Sequence, residues 1–279
     1  MTATKVHLPY FDLLFEQFRK GNPDALQAFG RHVHWGYWDY PAVADGTAAD
    51  FGAAAEKLCR RVCDAGGVGD GLRILDCGCG FGGTIASLNE RFSSVELVGV
   101  NIDPRQIERA REQVKPSTGN QIEFVEADAC QLPFEDDSFD VVLAVECIFH
   151  FPSRQRFFQE ARRVLRKGGR LALCDFVPVR ALLPLMKFAS QFAGASVART
   201  YGNIDGYFTL ADYRNLGQTA GFLPGLEEDI TVNTLPTYPA MRRFCLDTAQ
   251  IEMERVTAGQ EWLSQLGLSR YMILSFQVP

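Results

Sequence analysis

No stretch of this 279-residue chain approaches the roughly 18 consecutive apolar residues that a membrane span needs, so stable membrane insertion is not expected. Nor is there an excess of basic charge. Lys and Arg number 28 against 34 Asp and Glu, giving a net charge of −6 and a pI near 5.3. That balance argues against nucleic acid or an anionic membrane surface as the main partner. The first residues, MTATKVHLPYFD, show no basic region followed by an apolar run, so no secretory signal is read and a soluble, cytoplasmic protein is expected. Histidine is sparse, at His7, His32, His34 and His150. Cysteine is plentiful, with eight residues, yet neither disulfides nor a metal follow. Cys77, Cys130, Cys147 and Cys174 lie in or beside apolar strand-like runs, where a free thiol packs as a small hydrophobe. Without export no oxidising compartment pairs them. Cys59/Cys63 and Cys77/Cys79 miss both the two-residue gap and the partner pair of a zinc site, so no metal is assigned.

What remains is a chain able to bury a core, with 47% apolar and 22% charged residues. At roughly 150 residues per domain the length suits about two domains, or one elaborated α/β domain. Residues 1–46 are aromatic-rich and irregular, with a short amphipathic helix from Tyr10 to Arg19 that sets Phe11, Leu14, Phe15 and Phe18 on one face. A second helix is expected over 47–65. From Arg73 short apolar runs alternate with helix-length polar stretches: LRILDCG, VELVGV, IEFVEA, FDVVLAVE and RLALCDFV, separated by helices near 82–91, 104–114 and 153–166. Such alternation is the pattern of a parallel sheet covered on both faces. GNPDAL, DPRQIERA and PSRQRFFQEA supply helix starts, and RKGGR suits a helix end. Residues 178–208 carry no strand signal and read as an inserted helical cap. A helix at about 209–220, a strand near 226–232, a long helix around 238–264 and a last strand RYMILSFQV complete the chain, the last two strands as an antiparallel pair. The expected fold is one doubly wound, mostly parallel seven-stranded Rossmann-like sheet with an antiparallel last strand. A lid (1–46) precedes the main domain (47–279).

The strongest local signal is ILDCGCGFGG. Gly78, Gly80 and Gly83 satisfy G-x-G-x-x-G between a strand and a helix, where backbone approaches a ligand closely and the helix N-terminus faces it. A nicotinamide-dependent oxidoreductase is one reading of that match. Asp76 speaks against it, because a carboxylate would share the cleft with a pyrophosphate, whereas a cationic ligand suits it.

The segment Ile74-Leu75-Asp76-Cys77-Gly78-Cys79-Gly80-Phe81-Gly82 resembles the first motif of the class I S-adenosylmethionine-dependent methyltransferases, in their small-molecule (tocopherol, sugar, ubiquinone) branch. The resemblance implies that Asp76 lies near the amino-acid end of the cofactor and that Gly78, Cys79, Gly80 and Gly82 pass beneath it. GVNIDPRQIERA resembles the ribose-binding turn, with Asn101 in place of the usual acid, Ile102 beside it and Gln106 assisting. EADACQLPFEDDSFDVV resembles the adenine segment, with Asp128 accepting from the adenine amino group and the Ala129 amide donating to the ring. The match covers about residues 70–175.

In such an enzyme the sulfonium methyl is already electrophilic, and the protein positions a nucleophile in a dry site. His150, just after the fourth strand, is the candidate base, Asp175 its candidate orienting partner, and Glu146 a candidate for a polar or cationic group. The family often has His-His where this chain has Phe149-His150. RHVHWGYWDYP resembles the His-x-Gly-Tyr-Trp lid of tocopherol-, sugar- and mycolate-type enzymes, so Tyr10, Trp35, Gly36, Tyr37 and Trp38 are candidates to close over the ligand. Between lid and cap an acceptor pocket is expected from Phe149, Phe151, Phe176, Leu182, Met186, Tyr201 and Phe208. That lining favours a medium-sized, largely apolar or aromatic metabolite, methylated at O, N or C. A homodimer is compatible with the sequence. A non-catalytic small-molecule binder on the same fold is the other alternative.

Overall fold

Each apolar run of the alternating region forms a strand of one sheet. The structure is a computed structural model that describes residues 8–279, with backbone alone at residues 189, 190, 192 and 193; His7 and residues 1–7 of the expected lid fall outside the described residues. The strands are β1 (Arg73–Cys77), β2 (Glu96–Asn101), β3 (Gln121–Glu126), β4 (Phe139–Val145), β5 (Leu165–Pro178), β6 (Leu223–Asp229) and β7 (Ser269–Gln277), in the order β3-β2-β1-β4-β5-β7-β6. Strands β1 to β5 pair in parallel, and β7 runs antiparallel to both β5 and β6. The order reverses between β1 and β4, where Asp76 stands level with Gly99 on one side and Leu143 on the other. In open α/β sheets, ligands bind outside the carboxyl ends of the strands at such a reversal.

Helices cover both faces. On one lie α3 (Ala48–Gly66), α4 (Gly83–Arg91) and α5 (Pro104–Gln113), which bury Leu58, Val62, Ile85 and Ile107 against Ile74, Leu143 and Ile273. On the other lie α6 (Arg154–Val164) and α8 (Leu210–Thr219), which pack Phe157, Phe158 and Tyr213 against Leu75, Val142 and Leu171. The expected helix starts are present. Asn22, Asp103 and Ser153 each accept a backbone N–H of the first turn, at α2 (Pro23–Phe29), α5 and α6. Thr47 and Thr209 do the same for α3 and α8.

The lid helix α1 (Pro9–Arg19) settles on the glycine loop, with Phe11, Phe15 and Phe18 edge-on around Phe81 at 5.4–5.6 Å. The cap is one long helix, α7 (Leu183–Tyr201), packed on α1 and on α11 (Ile251–Gln265).

Three expectations are corrected. RKGGR does not close a helix: α6 passes through Leu165 directly into β5, which contains it. The strand expected near 226–232 begins three residues earlier, as an exposed edge with a register shift after Pro224. The single helix expected over 238–264 is instead α10 (Thr237–Asp247) and α11, preceded by the short α9 (Thr231–Thr234). The break falls at Ala249, at a φ of +59°, where Gln250 N–H donates to Cys245 O and Ala249 N–H to Leu246 O. That is helix-terminating geometry without the usual glycine. All eight cysteines are buried and unpaired, and among the described residues no helix is long and apolar enough to cross a membrane.

Candidate functional site

β1 ends at Cys77, and the chain must turn sharply to enter α4. Gly78, Gly80 and Gly82 make that turn at φ of +77°, +55° and +82°, a region that favours glycine. They serve different neighbours. A Cβ at Gly78 would stand 2.7 Å from the Cys147 Cβ, and one at Gly82 would meet Phe124 at 3.0 Å, whereas one at Gly80 meets nothing nearer than Gln106 Oε1 at 4.0 Å. Gly78 and Gly80 face a cleft at the carboxyl ends of β1, β2 and β4, and Gly82 packs behind it.

Of the expected cofactor residues, Tyr10, Gly78, Cys79, Gly80, Asn101, Ile102, Gln106, Asp128, Ala129 and Glu146 line that cleft. Asn101 Oδ1 accepts from Asp103 N–H at 3.0 Å, and its amide nitrogen donates to Gln106 Oε1 at 3.1 Å. Asp128 Oδ1 accepts from Cys130 N–H at 2.8 Å, which holds the turn. Asp76 lies behind the wall, 1% exposed, with Oδ2 unpartnered. Burial pushes its carboxyl up to about 7, and a hydrogen bond from Thr84, itself on the wall, pulls the other way.

Two lid tryptophans are not on the cleft wall. Trp38 is buried in the lid's own core beside Phe51 and donates its indole N–H to Asp50. Trp35 packs on Tyr238, Phe176 and Tyr271, and it reaches the site through its backbone, whose N–H donates to Glu146 Oε2 at 2.9 Å. Gly36 and Tyr37 tether the same segment to Thr237 and Ala54.

His150 sits on a short 3-10 turn, Ile148–His150, directly above β4, and borders the cleft. Its Nε2 is 3.2 Å from the Tyr10 hydroxyl, with the rings stacked. Burial, aided by nearby Arg154, lowers its pKa to about 4, and burial raises that of Tyr10. Both are therefore neutral at pH 7. Tyr10 then donates to Nε2, and the imidazole proton sits on Nδ1, a buried atom without a well-formed partner.

Asp175 is not the partner of His150. Alternation along β5 turns its side chain to the α6–α8 face, where the carboxylate accepts from Arg154 at 2.9 Å, from the Tyr213 hydroxyl and from Phe176 N–H. Arg154 also donates to Asp205 O at 2.7 Å, and Asp205 N–H to Phe149 O at 3.0 Å, so this buried pair anchors the loop after α7 beside His150.

The expected acceptor residues divide. Phe151 lines the cleft. Phe149 packs at a tilt against His150 and Phe176. Phe176 packs into the Trp35–Tyr271 cluster, and Tyr201 bonds Thr257 on α11 with its ring 5.9 Å from Tyr10. Phe208 lies under the Arg154 guanidinium rather than in a pocket, while Leu182 and Met186 are half-buried, one just before α7 and the other on it.

Sequence reasoning missed one constellation. His32 and His34, two residues apart on an extended segment, both border the cleft. His34 Nε2 is 3.2 Å from His32 Nδ1, and His32 Nε2 is 2.8 Å from Glu56 Oε2. The alternation in RHVH was the available signal.

A glycine cradle, a buried carboxylate beside it with one oxygen unpartnered, and amide and carboxylate groups along the strand ends suit an elongated ligand with cationic and hydrogen-bonding parts. Comparisons agree. A family model described as "Methyltransferase domain" matches residues 75–173. The chain is 37% identical to methyltransferase GfsG of Streptomyces halstedii over 218 residues, 76% of this chain and 73% of that one. It is 35% identical to 27-O-demethylrifamycin SV methyltransferase of Amycolatopsis mediterranei over 221 residues, 78% and 76% of the two chains. Geranyl diphosphate C-methyltransferase from Streptomyces coelicolor has the same fold, with a TM-score of 0.74 at 17% identity over 94% of this chain and 98% of that one.

Proposed function

The chain belongs to the S-adenosylmethionine-dependent methyltransferases, and from that premise we propose that it methylates a hydroxyl of a medium-sized, largely apolar natural-product-like metabolite. Methyl transfer from S-adenosylmethionine to a small apolar molecule is the activity its relatives share. When bound, the cofactor supplies an electrophilic sulfonium methyl. The roles of the chain's residues are our reading. Gly78 and Gly80 let backbone approach the ligand, Asn101 and Gln106 meet the ribose, and Asp128 with the Ala129 amide meets the adenine. Asp76, buried beside the cradle, favours a cation there. The same charge disfavours a pyrophosphate, and the nicotinamide alternative with it.

One observation carries the hydroxyl acceptor: the Tyr10–His150 hydrogen bond on the cleft wall. Neutral at pH 7, the imidazole keeps its Nε2 lone pair for a proton. An acceptor hydroxyl reaches that lone pair by taking the place of the Tyr10 O–H or by passing its proton through it, and becomes a competent nucleophile as it gives the proton up. Phe149 packs against His150 and Tyr201 against Tyr10, with Phe176 behind Phe149 and Trp35 behind Phe176, and this aromatic surface supports an apolar acceptor held between lid 1–46 and cap 178–208. The acidic chain and unpaired thiols support a cytoplasmic setting without nucleic acid.

The test supplies methyl-labelled cofactor with a panel of hydroxylated apolar metabolites. Label should enter the small-molecule fraction as a methyl ether, and His150→Ala should lower turnover roughly 10²–10⁴-fold with cofactor binding kept. Ligand binding without transfer to any acceptor would leave a binder only. A near-normal rate in the variant would remove the base.

A further inference from the structure

Glu146 is an ionisable group on the cleft wall with no cation to balance it. It follows β4 directly at a φ of +48°, a left-handed conformation that a non-glycine residue holds only under constraint. Its Oε2 accepts from the Trp35 N–H of the lid and from the Tyr271 hydroxyl of β7. Both donors occupy one oxygen, so a proton on this carboxyl resides on Oε1.

The groups facing Glu146 come from every element around it. They are Tyr10 on α1, Tyr201 on α7, Tyr238 on α10, Tyr271 on β7, Cys147 beside it, and Cys174 and Asp175 on β5. None of them brings positive charge. The tyrosine and cysteine pKa values are raised, so those groups stay neutral through pH 8, and Asp175 is already paired with Arg154. Among the described residues no Lys, Arg or His forms an ion pair with Glu146. Burial accordingly moves its pKa up to about 8.

We propose that Glu146 is the counter-charge of the cofactor's sulfonium: neutral in the free enzyme, ionised when S-adenosylmethionine binds, and neutral again beside S-adenosylhomocysteine. The proposal rests on the methyl-transfer reading above. The two ligands share the adenosine, the carboxylate and the ammonium, and differ in the sulfonium charge and its methyl. Uptake of the cationic one should therefore release a proton that uptake of the neutral one does not. Linkage fixes the sign: the preference for S-adenosylmethionine should strengthen by up to tenfold for each unit that the pH rises toward about 8, and level off above it. The methylated product state then no longer holds its cofactor by charge, which favours exchange.

Calorimetric titration of the full chain at pH 7, in two buffers of different ionisation enthalpy, reads the protons directly. S-adenosylmethionine should release close to one more proton per site than S-adenosylhomocysteine. In Glu146→Gln, which keeps an acceptor for Trp35 and Tyr271, that difference should vanish while S-adenosylhomocysteine still binds. Infrared difference spectra give an independent reading, in which the wild-type enzyme loses one protonated-carboxyl band more with the first ligand than with the second, and Glu146→Gln shows no such difference. Equal proton counts for the two ligands overturn the proposal, as does a difference that survives Glu146→Gln. Failure of both ligands to bind overturns the cofactor reading beneath it.

Discussion

Gly78, Gly80 and Gly82 look interchangeable as letters of one motif, and the space around each shows that they are not. All three stand at positive φ, where a Cβ costs about 1–2 kcal/mol. Gly80→Ala adds little beyond that, since its methyl enters the open cleft. It should cost about 1 kcal/mol of stability and at least tenfold in cofactor affinity. Gly82→Ala presses on Phe124, Val114 and Ala110, adding about 1–3 kcal/mol of overpacking, with a smaller effect on affinity. Gly78→Ala meets Cys147 and borders the cleft, so it should lose both. Thermal denaturation and calorimetry on the three variants separate these outcomes, and a common pattern for all three would refute the division. Residue type and spacing made the cleft legible in the sequence, since ten of the fourteen expected cofactor residues line it. The direction a side chain takes off its strand was less legible. Asp175 sits one strand from His150, as expected, yet alternation gives it to Arg154. Trp38 lies in the lid motif but is spent on the lid's own packing.

At the scale of elements, the lid is a lever with its contact at one end and its chemistry at the other. α1 holds Phe81 with Phe11, Phe15 and Phe18, and the same helix carries Tyr10 to His150. Edge-on aromatic pairs contribute about 0.5–1.5 kcal/mol each beyond area. Phe15→Ala with Phe18→Ala should therefore weaken docking of α1 by about 1–3 kcal/mol, roughly five- to 150-fold in the docking equilibrium constant. Turnover should fall, by up to that factor, while the sheet stays folded, as circular dichroism would show. Unchanged turnover would mean that Tyr10 needs no lid contact. The strand rhythm and helix caps were readable because they are local. Asn22, Thr47, Asp103 and Ser153 act on neighbours two or three residues away. The division of α10 from α11 was not readable, because no glycine or proline marks it. Ala249 takes a left-handed conformation that folds the two helices against each other, and their packing rather than local preference supports the turn.

For the molecule as a whole, the buried titratable groups make stability depend on pH in two opposing ways. His32, His34 and His150 have pKa values lowered by burial, to about 3 for His34 and about 4 for His150. The unfolded chain therefore binds more protons than the folded one below about pH 6.5, and stability rises with pH up to that point. Asp76 and Glu146 act oppositely. Their folded pKa values stand at about 7 and about 8, above those of the unfolded chain, so the folded state holds protons that unfolding releases from about pH 4 upward. Between pH 4.5 and 6.5 the histidines and the buried acids, Asp175 among them, pull against each other, so stability changes little there. Above 6.5 the histidines are neutral in both states and only the acids act, so stability falls until each has ionised in place. The ligand-free enzyme should accordingly be more stable near pH 6.5 than at pH 8.5, with the loss falling between pH 7 and 8.5. Denaturant titrations across pH 5–9 would trace this curve. Glu146→Gln should flatten its alkaline limb, and saturating S-adenosylmethionine should do the same by placing a cation beside the ionised carboxyl. A wild-type maximum above pH 8 would show that these carboxyls ionise freely in the folded state, and that the cleft is less dry than its burial implies.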